Sequence, residues 1–102
     1  MNPDHSHFLD DTVLISAAEL VRVCGLSLEE LDELAEAVLI AASGSGAARQ
    51  YSARLLHAGR RAARLRDVFD LDTPALMLVA NLLQQIDELE ARLTAAECLV
   101  PR

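Results

Sequence analysis

A chain of 102 residues with a net charge of −7, whose nine basic residues are all arginine, makes one small domain and a poor general binder of nucleic acid, because phosphate backbones are met with positive charge. Its composition is 52 % hydrophobic with no Trp, one Tyr and two Phe, so the core is mostly Leu, Val and Ala, marginal at this size unless a dimer interface adds burial. No apolar run is long enough to span a membrane, Met1 to Asp11 is too polar for a signal peptide, and Cys24 and Cys98 match no metal or redox spacing; the chain reads as cytoplasmic with reduced thiols.

Charge is segregated along the chain. Residues 1–48 carry nine acids against Arg22, residues 49–66 carry six arginines and no acid, and residues 67–102 carry seven acids against two arginines. A folded domain with an acidic and a basic side is expected.

In chain order, residues 1–11 read as a flexible tail in which His5 and His7 find no further ligands to complete a metal site. Thr12 to Ile15 suits a short strand. Ser16, with Glu19 three residues on, has the form of a capping box opening a helix over Ala17 to Val23, which stops at Cys24-Gly25. A second capping box, Ser27 and Glu30, follows at once, so two helices joined by Gly25-Leu26-Ser27 predict a helix-turn-helix. In the second helix Leu28, Leu31, Leu34, Ala35 and Val38 fall on one face. At about 100° per residue, Glu29, Glu30, Asp32, Glu33 and Glu36 project from the other.

Val38-Leu39-Ile40 and Arg49-Gln50-Tyr51 flank Ser43-Gly44-Ser45-Gly46, which predicts a β-hairpin wing. Ser52 starts a third helix that runs to about Phe69, with a buried stripe of Leu55, Ala58, Ala62, Leu65 and Phe69. Arg54, Arg60, Arg61 and Arg64 lie outside that stripe and Arg66 near its edge, where an unpaired charge would be costly. After the turn Asp70-Leu71-Asp72, Thr73 suits an N-cap with Pro74 at the first helical position. The helix that follows carries Leu76, Val79, Leu82, Ile86, Leu89 and Leu93 at steps of three and four, the seam of a helix that pairs with another, most simply a second copy. The expected organisation is a tail over 1–11, a mainly α winged helix-turn-helix domain with a small β-hairpin wing over 12–72, a long dimerisation helix over 73–97 and a tail over 98–102.

Catalysis finds little support in these residues. Ser16, Ser27 and Ser52 are explained as helix caps, and His57 has no Cys or Ser partner at recognisable spacing. Adjacent carboxylates such as Glu29 and Glu30 diverge on a helix, and the Ser-Gly-Ser-Gly loop opens no helix that would cradle a phosphate. No enzyme activity, cofactor or metal is expected.

Strand, helix-turn-helix, wing, helix and long pairing helix, in that order, resemble the MerR-like winged-helix proteins. Arg64-Leu65-Arg66, an acidic-hydrophobic spacer, Leu71-Asp72, Pro74 and the apolar pairing helix are similar to the C-terminal half of the CbpM-type chaperone modulators. Ile15-Ser16, Glu19-Leu20 and Cys24-Gly25-Leu26-Ser27-Leu28-Glu29-Glu30-Leu31 are similar to their N-terminal half. The resemblance implies a non-catalytic protein that binds the J-domain of a CbpA- or DnaJ-like co-chaperone and inhibits its activity. It also implies a basic helix on that J-domain, which the acidic face of Glu29, Glu30, Asp32, Glu33 and Glu36 would meet.

The second helix of a DNA-reading helix-turn-helix carries Arg, Lys, Asn or Gln to base edges. Five carboxylates there would be pressed between phosphate strands, so groove insertion is disfavoured. The alternative, a MerR-type DNA-binding regulator, rests on the arginines between Arg49 and Arg66, which could line phosphates; pairing with acids of neighbouring helices accounts for them as well.

Overall fold

The computed structural model describes residues 13–99. The tail expected over residues 1–11, with His5 and His7, and the chain from Val100 onward lie outside them. The elements are β1 (Leu14–Ser16), α1 (Ala17–Cys24), α2 (Leu28–Ala37), a 3-10 turn (Gly46–Ala48), β2 (Gln50–Ser52), α3 (Arg54–Phe69) and α4 (Thr73–Leu99). The chain is thus mainly helical, as expected, with α4 extending two residues past its expected end.

Local chemistry explains the first two helices. The Glu19 N–H donates to Ser16 Oγ at 3.2 Å, and Gly25, at φ 73°, closes α1 in the left-handed conformation that glycine adopts without strain. Glu19 turns its carboxylate to Arg22 instead of returning it to Ser16, so only half of the expected capping box forms. The box on α2 is complete: Glu30 N–H donates to Ser27 Oγ at 3.1 Å and Ser27 N–H to Glu30 Oε1 at 3.0 Å.

The wing differs from its expectation. Val38 to Ile40 form no strand; they close α2, with Leu39 at φ 61° and the Ile40 N–H donating to Ala35 O at 2.8 Å. Val38 and Ile40 are buried there, so the segment's apolar residues serve the helix end and the core. The strand partner of β2 is β1, antiparallel, with Leu14 opposite Ser52, Ile15 opposite Tyr51 and Ser16 opposite Gln50. The loop adds one bridge, Ser43 to Gln50, bonded in both directions at 2.7 and 2.8 Å.

Two helix starts also move. Ser52 belongs to β2, and α3 begins at Arg54, whose N–H donates to Ser52 Oγ at 3.3 Å. At α4 the cap is Asp72, which accepts the Ala75 N–H on Oδ1 at 2.9 Å. Thr73 is then the first helical residue and Pro74 the second, a position where a missing N–H still costs nothing. The Thr73 hydroxyl is free for a longer reach and donates to Glu30 Oε2 at 3.3 Å.

The core collects Leu20, Leu26, Leu31, Leu34, Leu55, Leu76 and Tyr51, all essentially inaccessible to water. Fully burying each leucine is worth roughly 1.5–3 kcal/mol. In α3, Leu55 and Ala62 are buried and Ala58 and Leu65 half-buried, but Phe69 is 64 % exposed: the helix overruns the core before Asp70, at φ 53°, turns the chain. Leu28, in the first turn of α2, is likewise exposed. Helices α1 and α3 approach closely at Gly59, where an added Cβ would lie 2.6 Å from Cys24 Sγ. Cys24 is buried and Cys98, near the far end of α4, is exposed; both are free thiols. No helix among the described residues is long and apolar enough to cross a membrane.

Candidate partner-binding surface

The complete cap at Ser27 fixes the rotation of α2, and burial of Leu31, Leu34 and Ala35 sets which side faces out. Glu29, Glu33 and Glu36 line the exposed side at i, i+4 and i+7, an arrangement that puts them on one stripe.

Glu30 and Asp32 leave the expected five-acid face because each finds a partner inside the domain. Asp32 accepts a hydrogen bond from the Tyr51 hydroxyl and, at 2.5 Å, from Arg49 Nη1. The Tyr51 bond, with help from Arg49, holds the Asp32 carboxyl below its ordinary range. Burial, reinforced by Asp32, pushes the Tyr51 phenol up. Glu30 receives the Ser27 N–H, the Thr73 hydroxyl and Arg66 Nη1 at 3.3 Å. The Ser27 backbone bond does most to lower its pKa, and Arg66 adds to the effect. These two acids tie α2 to β2, α3 and the root of α4, and the outward stripe is reduced to three carboxylates.

Several arginines are consumed in the same way. Arg49 pairs with Asp32, Arg61 with Asp87 at 2.9 Å, and Arg66 with Glu30 while also donating to Gly25 O at 3.4 Å. Arg66, expected at the buried edge, is indeed held there between two elements. Arg60 and Arg64 lie on the exposed side of α3.

The expected seam on α4 divides. Leu76 is wholly buried in its own domain, so it cannot face a second copy; its helix turn packs against the rest of the core. Val79 is half-buried, whereas Leu82, Ile86, Leu89 and Leu93 are 47–60 % exposed. From Gln85 to Leu99 every residue is exposed. Two contributors escaped the sequence reading. Asn81 donates to Ala37 O at 2.8 Å and bolts α4 to the end of α2; a lone amide in the apolar run Ala75 to Leu83 was the available signal. Tyr51, treated only as a strand residue, supplies the phenol that holds Asp32.

Among the described residues no group of three His, Cys, Asp or Glu side chains is placed to hold a metal ion. The arrangement offers surfaces: an acidic stripe on the second helix of the helix-turn-helix, an exposed apolar row on α4, and two outward arginines on α3. A family model described as MerR HTH family regulatory protein matches residues 15–96. No curated protein and no solved structure matches the chain.

Proposed function

The chain belongs to the family of MerR helix-turn-helix regulatory proteins, and we propose that within it this protein is a non-catalytic chaperone modulator that binds the J-domain of a CbpA- or DnaJ-like co-chaperone. One observation carries the reading away from DNA: in the position of a reading helix, α2 presents Glu29, Glu33 and Glu36 to solvent and no basic side chain. A major groove would meet those carboxylates with phosphates on both sides, at up to about 1 kcal/mol of repulsion for each exposed pair. A basic protein helix would meet them favourably, with charge setting encounter rate and specificity more than affinity. The modulator would act by covering the J-domain surface that engages its chaperone partner. A second copy would join through Val79, Leu82, Ile86, Leu89 and Leu93.

The test is titration calorimetry of the full chain against such a J-domain at low and high salt. Salt-sensitive binding near one J-domain per chain, lost on combining Glu29→Lys, Glu33→Lys and Glu36→Lys, is expected. Glu30 stays unmutated because it holds the fold. Absence of binding to a folded protein, together with a gel shift on a DNA duplex, would favour the DNA-binding alternative. For the pairing helix, Ile86→Asp is expected to convert dimer to monomer in analytical ultracentrifugation, and an unchanged dimer mass would refute that seam.

A further inference from the structure

A shallow cleft runs between the end of α1 and the outer side of α3, lined by Val23, Cys24, His57, Arg60, Ala63 and Arg64. Its floor is tight. Gly59 lets Cys24 approach α3, and Cys24 Sγ lies 3.9 Å from Leu56 O. Arg60 and Arg64 flank it one helical turn apart, so their side chains start about 5–6 Å from each other. Neither makes an ion pair or hydrogen bond with a described residue, in contrast to Arg22, Arg49, Arg61 and Arg66. Ala63 and Val23, the latter 37 % exposed, add an apolar margin beside the pair.

Two outward guanidiniums with an apolar margin beside them form a clamp for two carboxylates and one apolar side chain. Guanidinium is suited to bidentate capture of carboxylate, and its weak hydration lowers the cost of drying the contact. A long polyanion is disfavoured here, because Asp67 stands exposed one turn beyond Arg64 on the same stripe and would repel the phosphates that follow, whereas a short segment with two carboxylates ends before it. We propose that the cleft between α1 and α3 is a docking site for an acidic helical segment of a protein partner, one with two carboxylates a turn apart and an apolar residue beside them. This site is separate from the acidic stripe on α2, and its occupant has the opposite charge.

The probe is a short helical peptide with two glutamates one turn apart and a leucine beside them, titrated into the full chain and followed by amide NMR. Shift changes are expected at Val23, Cys24, Arg60, Ala63 and Arg64, absent when glutamines replace the glutamates. Arg60→Glu with Arg64→Glu should weaken binding by at least about tenfold; Arg60→Gln with Arg64→Gln, which leaves the helix uncharged there, should do so if the reversal perturbs folding. The proposal is overturned by no shifts at the cleft, by binding indifferent to both arginine pairs, or by a DNA duplex moving the same signals more strongly than the peptide. Shifts at the cleft that grow with protein concentration alone would reassign it to a second copy.

Discussion

From Thr73 to Gln84 and from Gln85 to Leu99, α4 carries apolar residues at much the same spacing in two different surroundings. In the first part Leu76 and Ala80 are buried, Thr73 bonds to Glu30 and Asn81 to Ala37. In the second, one tie to another element is present among the described residues, Arg61 to Asp87, and Ile86, Leu89 and Leu93 face water. Apolar periodicity therefore announces a helix that packs, without saying whether the partner is its own domain or another chain. That distinction comes from the residues between the leucines: an amide aimed at a helix end, or a cap shared with a distant acid.

The largest expected effect separates the two parts directly. Leu76→Ala should cost about 2–5 kcal/mol in denaturant unfolding, the price of a cavity in a closed core. Leu89→Ala, measured at concentrations where the chain is monomeric, should stay within about 0.5 kcal/mol. Equal costs would erase the comparison. Next comes Asn81→Ala, expected to lose about 1–2 kcal/mol because Ala37 O is left without its donor, with Gln85→Ala nearly silent.

Acid should loosen the rooted part as well. Glu30 and Asp32 both have lowered pKa values in the folded chain, so the unfolded chain takes up their protons first as pH falls. The stability they contribute is complete above the ordinary carboxylate range and is lost as pH drops below about 4 and through the lowered folded values. Glu30→Gln should flatten that dependence in pH-resolved urea melts. The smallest effect is Arg61→Ala, at most about 0.5 kcal/mol and fading with salt, since both partners are well exposed.

Signals confined to a few residues were legible in the sequence. The Ser27–Glu30 box, Gly25 as a terminator and the outward placement of Glu29, Glu33 and Glu36 follow from spacing within one or two turns. Pairings across the chain were not. Val38 to Ile40 have strand-like residues but terminate a helix, and β2 instead finds β1, far earlier in sequence. Asp72 displaces Thr73 as cap because Asp is the stronger N-cap and stands one position earlier. Most tellingly, Glu30 and Asp32 look identical to their neighbours until Arg66 and Thr73, or Arg49 and Tyr51, are folded against them. A helical wheel counts which way a carboxylate points; it cannot count the arginines that come to it.

The two thiols make the far end of α4 addressable. Cys24 is sealed against Gly59, and burial raises its pKa despite the nearby charge of Arg60, which slows alkylation, a reaction of the thiolate. Cys98 stands in solvent. A maleimide dye added briefly at neutral pH should therefore label the native protein at one position. Energy transfer between singly labelled chains then reads out whether two copies lay their last helices side by side, and at what distance, with no cysteine needing to be engineered in or out.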